Sequence, residues 1–167
     1  MRHQTKTFIE ELLKAHGPFT RVLDVGSLDV NGHLRKFFPD STYVGVDMRD
    51  GENVDVVCNG HDLVTRFGEA SFDLVLCFDT LEHDDRFWQT WEQCRAVCKV
   101  GGFVALGVPG RNHPQHDHPR DYWRFMPHAF EDYFLQGLDD TRLEIQTDDP
   151  AHQHEDEIYG WGRRRRI

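Results

Sequence analysis

Two stretches, SFDLVLCF at Ser71–Phe78 and FVALGV at Phe103–Val108, are almost unbroken apolar runs. Between them, RFWQTWEQCRAVCKV carries Phe87, Trp91, Cys94 and Cys98 on one stripe at helical spacing, and Gly101-Gly102 ends it. A short strand that is apolar on both faces belongs inside a sheet covered on both sides. A connection long enough to hold a helix joins parallel strands, whereas antiparallel neighbours need only a tight turn. The chain is therefore expected to build a mostly parallel sheet with helices on both faces.

The other segments extend this pattern. Apolar residues recur at helical spacing from Thr5 to Ala15, and Gly17-Pro18 stops them, so residues 1–17 read as an N-terminal helix. RVLDV at Arg21–Val25, TYVGVD at Thr42–Asp47 and VDVV at Val54–Val57 read as the first three strands. Between the first two, Asn31 is placed to cap a helix over His33–Phe38. PGRNHPQHDHPRDYW has three prolines, three histidines and no period, which makes residues 109–126 a loop and a candidate lid. MPHAFEDYFLQGL reads as a helix, and LEIQ and EIYGWG as closing strands, within one domain over residues 1–167. One link is awkward: only MRDGEN, Met48 to Asn53, separates the second and third strands, too short for a crossover helix. Either an extended loop crosses over or the third strand is a ragged edge piece.

Charge narrows the partners. With 19 basic against 29 acidic residues, the net charge of −10 leaves no basic face for a duplex, which argues against nucleic acid. RRRR at Arg163–Arg166 is the exception and reads as a solvated tail. No apolar run approaches the roughly 20 residues of a membrane span, and the acidic, amphipathic start MRHQTKTFIEELLKAHG is unlike a signal peptide. Cys58, Cys77, Cys94 and Cys98 are scattered over strands and a helix, so reduced thiols in a cytoplasmic protein are expected. Cys94 and Cys98 alone make an incomplete metal site and read as half-buried filler.

The loop after the first strand, in VLDVGSLDVNG, addresses the ligand. A dinucleotide site needs a second glycine where the backbone meets a pyrophosphate; here that position is Leu28, followed by the anion Asp29. Asp47 ends the second strand, 21 positions after Gly26, about where an acid binds ribose hydroxyls. The site asks for ribose without asking for phosphate, a description that S-adenosylmethionine meets.

VLDVGSLDVNG, YVGVDMRDG, VDVVCNGHDL, SFDLVLCFDTLEH and VGGFVALGVPG, in this order, resemble the class I S-adenosylmethionine-dependent methyltransferases over roughly Thr20 to Phe134. HPRDYWRF resembles a segment of their small bacterial and phage members. The resemblance implies a Rossmann-like, doubly wound, seven-stranded α/β/α fold with an antiparallel last strand. It further implies that Asp24, Gly26 and Ser27 lie beneath the methionine moiety, with Leu28 also cofactor-binding, and that Asp47 binds ribose. Met48 would pack on adenine, Asn59, Gly60 and His61 would edge it, and Phe78 would line the methionine side.

Methyl transfer from a sulfonium needs alignment, exclusion of water and, for an O–H or N–H acceptor, a base. Asp79, Glu82 and His83 from CFDTLEH, and His113, His116, Asp117, His118 and Tyr122 from the later loop, are the candidates. His83, His116 and Tyr122 are singled out as catalytic, although LEH in so many members gives His83 a structural reading too. HPQHDH resembles a metal-ligand cluster, yet a lid presenting His116, Asp117, Tyr122 and Trp123 to the acceptor accounts for the same composition, so no metal is expected. The fourth strand lacks the signature of base-amino methylation and there is no Pro-Cys pair for pyrimidine attack. The expected acceptor is a small molecule, or a sugar or lipid precursor. The alternatives are an inactive cofactor-binding module or subunit, a nicotinamide oxidoreductase, which the missing glycines disfavour, and, last, a metal-dependent hydrolase.

Overall fold

A computed structural model describes residues 3–30, 32–117, 119–146 and 156–165. Its seven strands are β1 (Arg21–Val25), β2 (Thr42–Asp47), β3 (Val56–Val57), β4 (Phe72–Phe78), β5 (Cys98–Pro109), β6 (Leu138–Gln146) and β7 (Glu157–Arg164). They form one sheet in the order β3-β2-β1-β4-β5-β7-β6. The first five run parallel, and β7 is antiparallel to both β5 and β6. This is the expected doubly wound sheet with an antiparallel last strand.

Alternation along β4 divides the core. Leu74, Leu76 and Phe78 face one layer, which holds helix α1 (His3–His16), while Val75 and Cys77 face the other. Phe8, Ile9 and Leu12 of α1 are fully buried, and the Phe8 ring packs 4.6 Å from that of Trp161 on β7. The opposite layer contains α2 (Leu63–Phe67), α3 (Phe87–Val97) and α4, an α-turn at Pro127–Ala129 that continues as a π-turn over Phe130–Phe134. Trp91, Phe72, Phe130 and Phe134 are its largest buried side chains.

Several expectations need correction. His33–Phe38 is only a 3-10 turn at Arg35–Phe37, and its expected cap, Asn31, lies outside the described residues. Leu34 and Phe38 are pulled into the core on either side of that turn, leaving too little chain for a helix. The third strand shrinks to Val56–Val57, paired parallel with Val46 and Asp47. Cys98 leaves the helical stripe to begin β5, and both it and Cys94 are fully buried rather than half-buried. Arg163 and Arg164 are no tail but the end of β7: Arg163 pairs with Asp140 at 2.6 Å, and Arg164 donates to the carbonyls of Ala96 and Cys98. Arg166 lies outside the described residues. Helix α2, which carries the chain from β3 to β4, had a local signal in HDLVTRF that the sequence reading did not use.

The short connection from β2 to β3 is resolved by polar clamps. Arg35 donates to Asn53 Oδ1 at 2.8 Å and to Asp55 Oδ2 at 2.5 Å, and Asp55 accepts from Gly45 N at 2.8 Å. Asn53, at φ 69°, returns a bond from Nδ2 to the Ser27 carbonyl at 2.8 Å. The crossover is thus an extended loop fastened beneath the turn after β1.

Among the described residues, no helix is long and apolar enough to cross a membrane.

Candidate active site

The five parallel strands end on one edge, and their order reverses between β1 and β4, the place where such sheets bind ligands. The backbone at this point is tightly pinched. Gly26 has φ 78°, and a Cβ there would lie 1.9 Å from Thr80 Oγ1 in the loop after β4. Thr80 in turn donates to the Phe78 carbonyl at 2.7 Å, while Gly26 N and Ser27 N both donate to the Val46 carbonyl at 2.9 Å. One glycine suffices for this turn because only one residue must both adopt positive φ and pass against β4.

A cavity of about 520 Å³ opens over the ends of β1, β2 and β3, within the range for small-molecule sites. Gly26, Leu28, Asp47, Met48, Asn59, Gly60 and His61 all line it, as do His83 and Tyr122. A neighbouring cavity of about 220 Å³ is lined by Asp24, Ser27, Phe78 and His116. Gly26, Leu28, Val30, Asp79 and His83 border both. Every residue singled out from the sequence for cofactor binding or catalysis therefore lines one or both spaces. His118 lies outside the described residues.

Individual environments refine these positions. Met48 is 67% exposed on the cavity wall, an unpacked apolar side chain of the kind that covers a flat ring. Asp47 accepts from Arg49 N at 2.9 Å through Oδ1. The Asn59 Oδ1 caps the following turn by accepting from His61 N at 2.9 Å. Ser27 donates its hydroxyl to the Asn53 carbonyl at 3.2 Å, so its part in the loop is to fasten it.

Asp84, which no sequence motif marks, organises the far wall. It meets His61 Nε2 at 2.9 Å, accepts from Thr90 Oγ1 at 2.6 Å and from Arg86 N at 2.9 Å, and its carbonyl accepts from Trp123 Nε1 at 2.8 Å. A carboxylate just after a turn is unremarkable in sequence, and nothing local announces four partners from three segments. Loop 109–126 is also well fastened. Arg124 donates to the His113 carbonyl at 2.9 Å and the Pro114 carbonyl at 2.7 Å, and holds Asp121 well below the usual carboxylate range.

Asp24 is buried and accepts a hydrogen bond from the Tyr43 hydroxyl. Burial pushes its carboxyl up to about 7, outweighing the lowering by Tyr43 and Arg35. A folded value above the unfolded one, about 3.9, means that the native state holds an extra proton between these limits. Stability is then lost as pH rises from about 4 to 7. Denaturant unfolding of wild type and Asp24→Asn should show the wild type losing up to about 1.4 kcal/mol per pH unit relative to the variant in that window. Parallel curves would mean that Asp24 ionises normally.

The first cluster after β4 is crowded with imidazole and carboxylate. Glu82 is fully buried; its Oε1 lies 3.7 Å from His83 Nε2 and 3.5 Å from His116 Nε2, and the His113 ring packs 4.7 Å from that of His116. Burial raises the Glu82 carboxyl.

Comparison with known proteins agrees with this geometry. A family model described as a methyltransferase domain matches residues 23–106, half of the chain. Among curated proteins, none matches. A Burkholderia thailandensis 1,6-didemethyltoxoflavin-N1-methyltransferase solved with 1,6-didemethyltoxoflavin and S-adenosylhomocysteine shares the fold at a TM-score of 0.77. That match has 17% identity and covers 98% of this chain and 79% of the other. A SAM-dependent methyltransferase from Archaeoglobus fulgidus matches at TM-score 0.71 and 14% identity, over 98% and 95% of the two chains. NodS, an N-methyltransferase from Bradyrhizobium japonicum solved with S-adenosylhomocysteine, matches at 0.69 and 13%, over 96% and 86%. The chain belongs to the methyltransferase-domain family, within the class I S-adenosylmethionine-dependent enzymes, and S-adenosylmethionine is its cofactor. The site suits that group: the acid Asp47 at a strand end, the exposed Met48 and the Gly26 turn surround one cavity.

Proposed function

We propose that the protein methylates a small-molecule acceptor, a metabolite or a sugar or lipid precursor, by in-line displacement. The observation that carries this reading is the pair of adjoining cavities that share Gly26, Leu28, Val30, Asp79 and His83. Adenosine occupies the larger space and the methionine end the smaller. When bound, the cofactor supplies an electrophilic methyl group on sulfur.

The chain's own residues do the rest. Asp47 accepts from the ribose hydroxyls and Met48 covers the adenine, with Asn59, Gly60 and His61 at its edge. Asp24, Gly26, Ser27, Leu28 and Phe78 hold the methionine end. His83, His116 and Tyr122 orient the acceptor and receive its proton, and loop 109–126 acts as the lid that excludes water. Asp79, at φ 47°, adds a carboxylate on the shared wall in a backbone conformation that non-glycine residues rarely adopt. Small acceptors in the names of the toxoflavin-type enzyme and the net charge of −10 support this class over nucleic acid. The four free cysteines support a cytoplasmic location.

Methyl-labelled cofactor incubated with fractionated metabolite and nucleic-acid pools tests the reading. Label is expected in a low-molecular-weight product. Label confined to nucleic acid, or none in any pool, would overturn it.

A further inference from the structure

Glu82, His83 and His116 converge in a way that hydrogen bonding does not explain. The Glu82 side chain is fully buried, and neither of its carboxylate oxygens has a hydrogen-bond partner among the described residues. An unpartnered buried carboxylate carries a large desolvation penalty. What faces it are two imidazole nitrogens, one from the turn after β4 and one from the loop after β5.

The orientation of both rings is set from behind. His83 Nδ1 lies 2.5 Å from the Arg120 carbonyl, which can only accept, so Nδ1 carries the proton. His116 Nδ1 lies 3.3 Å from the Pro114 carbonyl and 3.6 Å from Asp121 Oδ2, again acceptors. Where a ring is neutral its Nε2 is then a lone pair aimed at the Glu82 oxygen; Glu82 raises the His116 imidazole, and a proton held there answers only the His116 contact. Two lone pairs and a carboxylate repel unless something positive lies between them.

Distances distinguish a proton from a larger ion. A charge-assisted N–H···O bond closes to about 2.7–2.9 Å, yet the two N···O separations are 3.5 and 3.7 Å. Ligands about 2.1 Å from a tetrahedral metal lie roughly 3.4 Å apart. The three ligand atoms lie within 4.8 Å of one another, and a proton on one ring would leave the other contact unanswered. Backbone bonds at 2.5–3.3 Å behind metal-binding imidazoles are the usual orienting partners.

We infer that Glu82, His83 and His116 form a binding site for a divalent transition-metal ion of the zinc type. Two imidazoles and one carboxylate are a set that takes such ions and leaves a coordination position open. His83 and His116 line the smaller cavity with Asp79, the space proposed for the methionine end, so a bound ion would lie beside the methyl group and the acceptor that meets it there. A resident cation would place positive charge on an acceptor oxygen or nitrogen; with it bound, His83 and His116 would act as ligands in place of the proton-accepting role proposed above, which would pass to Asp79 or Tyr122. This departs from the expectation drawn from the sequence, in which His83 and His116 are catalytic, the loop is a lid and no metal is bound.

The test uses the full chain, stripped with chelator and desalted, with no S-adenosylmethionine present, so its failure is separate from failure of the methyl-transfer reading. Zn²⁺ is titrated by calorimetry and Co²⁺ by visible absorption. One equivalent of each is expected to bind, with the cobalt spectrum showing nitrogen and oxygen ligation without thiolate charge transfer. His116→Ala, on a partly exposed side chain, should weaken binding about 100-fold or more, and Glu82→Gln should do the same. His128→Ala, on an exposed position, should bind like wild type. If Glu82→Gln fails to fold, His116→Ala decides alone. Less than one equivalent bound by wild type, thiolate bands in the cobalt spectrum, or unchanged binding in His116→Ala would overturn the site.

Discussion

Gly26→Ala is expected to destabilise the fold by about 3 kcal/mol and to remove measurable S-adenosylmethionine binding. Positive φ costs an L-residue roughly 1–2 kcal/mol, and Gly26 sits at φ 78°. The added Cβ would stand 1.9 Å from Thr80 Oγ1 and 2.7 Å from Thr80 Cγ2, so one of the two loops at the β1–β4 seam must move. Gly26 borders both cavities, and displacing it narrows the space where the methionine end is proposed to lie. Adding Thr80→Ala removes the hydroxyl and methyl contacts but leaves the backbone strain. The double variant should therefore recover about half of the lost stability, read by denaturant unfolding. Wild-type stability and affinity in Gly26→Ala would show that the seam is more yielding than its contacts indicate.

Asp47→Ala is expected to act on binding alone. A carboxylate that accepts from two ribose hydroxyls makes two charge-assisted bonds, each worth about 1.5–3 kcal/mol. Losing both amounts to roughly 100-fold or more in affinity. The folded state loses little, because the contacts of Asp47 with Arg49 N at 2.9 Å and with the Arg49 guanidinium at 3.9 Å are local to a strand end. Calorimetry with S-adenosylmethionine and S-adenosylhomocysteine should show the loss, while thermal melting of the free protein should not shift. Unchanged affinity would reduce Asp47 to a solvated strand end and remove the ribose contact from the site.

The two predictions differ for a reason visible in the chain. Gly26 is held by tertiary contact with a loop more than fifty residues away, so substitution there affects fold and site together. Asp47 is placed by its strand, and its side-chain contacts, with Arg49 N and the Arg49 guanidinium, are local.

Much of the architecture was legible because its signals are local. β1 and β2 have the bounds that their apolar residues and flanking breaks indicate, and α3 carries Phe87, Trp91 and Cys94 as its spacing requires. The position of Asp47 was legible too, since it follows from where a strand stops. The segment His33–Phe38 was misread because helical spacing of apolar residues cannot show that Leu34 and Phe38 anchor in the core while Arg35 reaches Asn53 and Asp55. The arginine run misled for a related reason: charge suggested solvent, but β7 extends through Arg164 and gives its guanidinium two backbone carbonyls.

The sequence by itself determined a parallel sheet with covered faces, the glycine turn after β1, the acid at the end of β2 and a histidine-bearing loop. Each rests on residue type and short spacing, which act over one turn or one strand. Only the tertiary structure decided that Asp84 ties His61, Thr90 and the loop tryptophan together, that Gly26 must clear Thr80, and that His116 meets Glu82 and His83. Those meetings depend on how the loops at the carboxyl edge fold over the sheet. Loop geometry is set by backbone bonds such as those from Tyr122 N and Trp123 N to the Glu82 carbonyl, contacts between segments about forty residues apart that no local pattern encodes.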